Sequence, residues 1–253
     1  MRPVTGMSVV VTGGGSGIGA GIARHFVARG ARVTICGRRE EKLREVAAEL
    51  GDACCALPGD VTDAAARRRV VDAALAHGGG IDVLVNAAAN MYRGPLETLD
   101  EERLLALFHS NVVGAMLLTG LALPHLERAR GCVVFFGSVH VARAFPGASP
   151  YAATKGALEA LTGVLAAELG PRGVRVSCVR PGGVFSELNQ RAGLFDDEQA
   201  RARLEALGPA HVLGRPGTPE EVAEAVEYLA RAEWTTGSVL VVDGGLSLGT
   251  TNA

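Results

Sequence analysis

MSVVVTGGGSGIGAG, residues 7–21, governs how the rest of the chain is read. An apolar, β-branched run ends at Thr12, and a glycine-rich turn leads straight into a helix-like pattern. A strand that turns sharply into a helix needs backbone angles open to glycine. A backbone without Cβ also lets a pyrophosphate approach the helix N-terminus and its free N–H groups. Gly13, Gly17 and Gly19 matter most, with Ser16 and Ile18 among them. The chain has 34 glycines, so such a cluster also arises by composition. Its place after a first strand, opening a helix and preceding a second strand, favours nucleotide binding.

Outward from this turn the rhythm repeats. Short apolar runs without strict alternation lie at 7–12, 31–36, 53–57, 81–86, 131–138, 173–179 and 238–243, as expected of strands covered on both faces. Segments with helical spacing lie between them, including long ones at 100–127 and 151–170. This alternation predicts one α/β domain over residues 1–253: a doubly wound Rossmann fold with a seven-stranded parallel sheet and helices on both faces. Residues 186–215 break the rhythm. They are polar, charged and glycine-containing without a strand, and read as a substrate loop or lid between the last two strands.

Composition narrows the function. The 253-residue chain has a formal net charge of −2 and a sequence pI near 6.3, which does not suggest a partner in nucleic acid or a membrane surface. Cys36, Cys54, Cys55, Cys132 and Cys178 show no metal-type spacing, and several sit in apolar runs. Buried free thiols in a reducing cytoplasm are the expectation, with no metal. No run is expected to approach the ~20 apolar residues of a membrane span, and the N-terminus lacks the pattern of a signal peptide.

The second strand ends Ile35-Cys36-Gly37 and is followed by Arg38 and Arg39. A carboxylate at this place would accept from a ribose 2′-hydroxyl, whereas an arginine suits a 2′-phosphate. Helix starts favour acidic residues, so two arginines that merely opened a solvated helix would oppose its dipole. The pattern predicts NADP(H).

Of 25 basic residues only Lys42 and Lys155 are lysine, and Lys155 follows Tyr151 by one helical turn. An unperturbed tyrosine has a pKa of ~10 and is a poor acid–base catalyst at neutral pH. A nearby ammonium stabilises the phenolate and lowers that pKa. Lysine supplies a compact charge with three donors and can also hold a cofactor ribose. Ser138 ends the run 131–138, where ligands sit in such sheets, and could hold a carbonyl or alcohol oxygen beside the tyrosine. Asn111 is either a satisfied core amide or a kink that holds a water next to Lys155. His140 is either a polar loop residue or part of the substrate pocket.

Together these residues resemble the short-chain dehydrogenase/reductase family, over essentially the whole chain. Thr12-Gly13-x-x-x-Gly17-Ile18-Gly19 looks like its cofactor turn. Asp60-Val61 is similar to the pair that touches the adenine, and Ser138, Tyr151, Lys155 and Asn111 match its catalytic set. The resemblance also implies cofactor contacts from Asn86, Pro181, Gly182, Val184 and Ser186. The chain departs at Asn86-Ala87-Ala88-Ala89, where the family often has Asn-Asn-Ala-Gly. The implied activity is NADP(H)-dependent interconversion of a ketone and a secondary alcohol, as in the 3-oxoacyl-thioester reductases. Family members that reduce enoyl groups place a wider gap between Tyr and Lys than the three residues here. Two alternatives stand beside this: an NAD(H)-dependent alcohol dehydrogenase, and a nucleotide-binding sensor without turnover, which usually lacks the Tyr or the Lys. Leu117, Leu118, Leu121, Leu158, Leu161, Val164 and Leu165 exceed one buried stripe, and with the resemblance they imply a homotetramer or a dimer.

Overall fold

A computed structural model describes residues 1–188, 193 and 196–249. Its strands are β1 (Ser8–Thr12), β2 (Arg32–Gly37), β3 (Cys54–Pro58), β4 (Val83–Asn86), β5 (Cys132–Phe136), β6 (Arg175–Pro181) and β7 (Val239–Val242). All pair in parallel, in the order β3-β2-β1-β4-β5-β6-β7. The helices are α1 (Gly17–Val27), α2 (Glu40–Leu50), α3 (Ala64–Gly78), α4 (Glu101–Phe108), α5 (Gly114–Ala129), α6 (Ser149–Leu169), α7 (Asp197–Ala206) and α8 (Pro219–Arg231).

The central strands β1, β4 and β5 are buried at every residue, which is why their sequences run apolar without alternation. One face packs against α1, α2 and α8, with Phe26, Ile35, Leu43 and Leu229 in its core. The other packs against α3, α5 and α6, around Phe135, Leu118, Leu126 and Leu158. Each such side chain contributes about 1.5–3 kcal/mol on burial. The strand order reverses between β1 and β4, so the connections leave the sheet in opposite directions there. A crevice opens beyond the C-terminal strand ends at that point.

The stretch expected as a single helix over 100–127 is built in three pieces. α4 passes through a π turn at His109–Val113 into α5. The wider turn carries two buried polar residues, Ser110 and Asn111. Residues Glu101–Ala129 also correct the expectation about membrane spans. By length and a mean hydropathy of 1.7 this helical stretch is long and apolar enough to cross one. Consecutive apolar runs hid this, because scattered polar residues interrupt them. Ala115, Leu118, Ala122 and Leu126 of α5 lie buried on the sheet, while Met116, Leu117 and Leu121 face outward.

Candidate active site

A cavity of about 420 Å3 is lined at one end by Arg38 and Asp60, then by the glycine turn, and at the other end by Ser138, Tyr151 and Lys155. Gly13 and Gly17 have φ of 70° and 51°, a region that favours glycine. A Cβ on Gly19 would lie 2.3 Å from the Gly13 carbonyl oxygen, so the turn closes only with glycine there. Ser16 precedes α1 without capping it through its side chain, and no acidic residue occupies the first turn. Gly17, Ile18 and Gly19 line the cavity, so the positive helix end is offered to it. These features fit the pyrophosphate of a dinucleotide.

At the first of these ends Arg38 is half exposed. It donates to Asn90 Oδ1 at 2.9 Å and lies 3.9 Å from Asp60. Asp60 also accepts the Thr62 N–H at 2.9 Å, and Val61 lines the cavity beside it. Arg39 was expected to share the phosphate with Arg38. Instead it donates to Ser16 Oγ at 2.8 Å and pairs with Glu187, and it is not among the cavity-lining residues described. Arg39 thus bridges Ser16 of the glycine turn and Glu187. Asn86 is not among the cavity-lining residues described; its amide donates to Thr119 Oγ1 at 3.2 Å, while Ala87 to Asn90 after it form part of the wall. Pro181, Gly182, Val184 and Ser186 all line the cavity.

At the other end Tyr151 and Lys155 stand on the first turns of α6, opened by Pro150. Both are nearly fully buried, at 6% and 3% exposure. The Lys155 ammonium donates to the Phe136 carbonyl at 2.9 Å and sits 5.5 Å from the Tyr151 ring centre. Burial pushes Tyr151 up to about 12, with hydrogen bonding from Ser138 acting in the opposite direction. Burial brings Lys155 down to about 8. Burial acts on both members of the pair against their charged forms, raising the phenol and lowering the ammonium.

Ser138 lies two residues beyond β5, at the start of a 3-10 turn over Val139–Val141, where it accepts the His140 N–H at 3.3 Å. His140 Nδ1 is 3.1 Å from Ser138 Oγ. The imidazole stacks on Phe145 at 4.3 Å and meets Tyr151 edge-on at 5.3 Å. Burial, then Arg93 and Lys155, brings it down to about 4, so it is neutral near pH 7. His140 is partly buried and lines the cavity.

Asn111 has the satisfied amide that is one of the two expectations for it, and it sits in the π turn that interrupts the helix. Its Oδ1 accepts the Asn90 N–H at 2.7 Å, and its Nδ2 donates to the Asn90 carbonyl at 3.0 Å and to Thr154 Oγ1 at 3.1 Å. Thr154 in turn donates to the Tyr151 carbonyl at 2.8 Å. Asn111 is thus a buried clamp between the cavity wall and α6. With Arg38 on Asn90, one chain of hydrogen bonds joins the Arg38 end of the cavity to α6.

Part of the anticipated lid is a helix. Asp196 and Gln199 form a capping box that starts α7. Ala200, Arg203 and Leu204 of α7, and Leu207 after it, line the cavity. His211 anchors that end, donating from Nδ1 to the Leu207 carbonyl at 3.0 Å and accepting the Gly183 N–H on Nε2 at 3.2 Å. Residues 189–192 and 194–195 of the 186–215 segment lie outside the described residues. Sequence reasoning also missed Asn90, Arg93 and Phe145, which carry no motif and reach the site only through folding. Among the described residues no cluster of metal-ligating side chains occurs.

A pyrophosphate cradle and a buried tyrosine–lysine pair along one cavity are the equipment of a nicotinamide-dependent oxidoreductase acting on CH–OH groups. The chain belongs to the short-chain dehydrogenase/reductase family. A family model described as enoyl-(acyl carrier protein) reductase matches residues 13–247. The chain is 41% identical to L-fucose dehydrogenase of Bos taurus, over 96% of this chain and 90% of that one. It is 35% identical to 3beta-hydroxysteroid dehydrogenase 1 of Eggerthella lenta, over 96% and 94%. Among solved structures, 3-ketoacyl-(acyl-carrier-protein) reductase from Brucella melitensis complexed with NADH is similar with a TM-score of 0.88 and 31% identity, covering 96% of this chain and 99% of that one.

Proposed function

We propose that the protein interconverts a ketone and a secondary alcohol, using NADP(H). The nicotinamide, when bound, supplies or accepts the hydride. In reduction Tyr151 gives its proton to the carbonyl oxygen as negative charge develops there, and in oxidation it takes that proton back. Ser138 holds the same oxygen. The Lys155 ammonium stabilises the phenolate and reaches the ribose. Burial of all three strengthens these interactions, because water no longer screens them.

The observation that carries this reading is the buried Ser138–Tyr151–Lys155 cluster facing the cavity. Arg38 carries the cofactor preference: it stands at the rim with no carboxylate at the end of β2. A second reading, NAD(H), is favoured by the NADH held in the Brucella neighbour and by the Asp60 carboxylate near Arg38. The relatives named for a sugar and for a steroid define the first substrates to screen. Absorbance of the reduced nicotinamide reports turnover, run with each cofactor. Absence of turnover with every compound, with cofactor still bound, would leave a nucleotide-binding sensor.

The assembly we propose is a homotetramer or a dimer in the cytoplasm. Leu118 and Leu158 are buried in the protomer, whereas Leu117, Leu121 and Val164 remain exposed, which supports a contact through α5 and α6. Five free thiols suit a reducing compartment.

A further inference from the structure

We propose that His140 is a positioning residue: its Nδ1–H fixes the donor direction of the Ser138 hydroxyl and thereby favours the phenolate of Tyr151. The proposal rests on the reading of Tyr151 as the group that exchanges the proton. Ser138 has one hydrogen to give. Its oxygen already accepts the His140 backbone N–H at 3.3 Å, and His140 Nδ1 lies 3.1 Å away. If Nδ1 is bare, it captures the serine hydrogen, and Tyr151 loses that donor. If Nδ1 carries the proton, it donates into Oγ and releases the serine hydrogen toward Tyr151 and the substrate oxygen. In the reading of Ser138 as the group that holds the substrate oxygen beside Tyr151, its one hydrogen is given to that oxygen. Proton counting then leaves Nδ1–H as the compatible form. Two N–H groups pointing into Oγ also polarise its O–H, so each bond in the chain strengthens the next.

The surroundings hold the imidazole to this role. Phe145 fixes the ring plane from one side and the Tyr151 edge from another. The charged groups acting on it are Arg93, from the loop after β4, and Lys155, from α6, both positive. They and burial keep the imidazolium from forming in the working range, so His140 is a fixed donor and not a proton carrier.

The experiment compares wild type with His140→Asn, which keeps a side-chain N–H near the Nδ1 position, and with His140→Ala, which removes it. Oxidation of an alcohol needs ionised Tyr151, so its kcat/KM rises with pH along a limb set by that group. In His140→Ala this limb is expected to move up by about half a unit to one unit, with kcat at neutral pH down about three- to tenfold. KM for the cofactor should hold, and His140→Asn should restore most of the loss. Nitrogen NMR of histidine-labelled protein needs no substrate. The His140 signal, assigned by its loss in either variant, should report neutral Nδ1–H between about pH 6 and pH 9, and Ser138→Ala should shift it toward Nε2–H. An Nε2–H signal in the wild type overturns the proposal. So does an alanine profile that superimposes on wild type, or an asparagine variant no better than alanine. If no compound turns over, the proposed function fails by itself, and the nitrogen spectrum still decides the tautomer. The same wild-type spectrum decides it if His140→Ala does not fold.

Discussion

At one end of the cavity Arg39 pairs with Glu187 and Arg38 lies 3.9 Å from Asp60, all partly exposed. At the other end Tyr151 and Lys155 are buried and His140 is partly buried, and none pairs with a carboxylate among the described residues. Exposed pairs of the first kind are worth about 0–1 kcal/mol and weaken with salt. At the buried end desolvation dominates and moves Tyr151 to about 12, Lys155 to about 8 and His140 to about 4. Recognition at the rim can therefore be changed by exchanging one charge for another. Chemistry at the buried end depends on which atom carries which proton, and substitutions there act on rate.

The largest departure from this contrast is sought at Lys155. Lys155→Arg keeps the charge but puts a planar fork where a compact ammonium reaches the Phe136 carbonyl. It is expected to lower kcat/KM by about 10²- to 10⁴-fold, the range of general acid–base groups. Steady-state kinetics with either cofactor check this, and a loss below tenfold would mean that any cation suffices. The pH profile sharpens the same point. The lysine pKa is lowered in the protein, so its ammonium is present below about 8 and lost as pH rises through that value. Reductive kcat/KM should hold below that pH and fall above it, since a neutral Lys155 leaves the departing proton of Tyr151 without a neighbouring cation. A profile flat through pH ~9.5 would detach Lys155 from catalysis.

At the rim a smaller effect is expected. A guanidinium on a 2′-phosphate is worth roughly 1.5–3 kcal/mol, or about 10- to 150-fold. kcat/KM for NADPH should exceed that for NADH by at least about tenfold, and added salt should erode the gap. A Cβ on Gly37 would meet the Leu43 side chain at 3.6 Å or more, an ordinary contact, so the backbone there admits a side chain. Gly37→Asp with Arg38→Ile should invert the preference, mainly through KM. Equal or better use of NADH by the wild type would make Asp60 the stronger influence at this end. The least effect on chemistry is expected from the outer helix face. Leu117→Glu should reduce the assembly seen by light scattering at micromolar concentration while the cofactor preference is kept, whereas a monomeric wild type would remove the proposed interface.

The fold was legible because its signals are local. β1 to β7 were found as apolar runs, and the glycine turn announced the first crossover. Tyr151, Lys155 and Ser138 were found because their chemistry is unusual at that spacing. What escaped depends on partners far apart in sequence. Arg39 looked like Arg38 until Glu187 was brought to it by the segment after β6. Asn111 looked like either a core amide or a water ligand until the π turn set it against Asn90 and Thr154. His140 looked like either a loop residue or a pocket residue because nothing nearby shows that Phe145 and Tyr151 will pack against it. Part of the lid was legible in retrospect, since Asp196 and Gln199 carry the spacing of a capping box.

Tyr151→Phe tests the account most directly, because it removes one oxygen from the buried end and leaves the rim untouched. NADPH binding and turnover are measured on the same preparation. The account predicts a folded variant with a cofactor Kd within about twofold of wild type and kcat reduced by at least ~10²-fold. Near wild-type turnover, or cofactor binding lost in step with turnover, would contradict it.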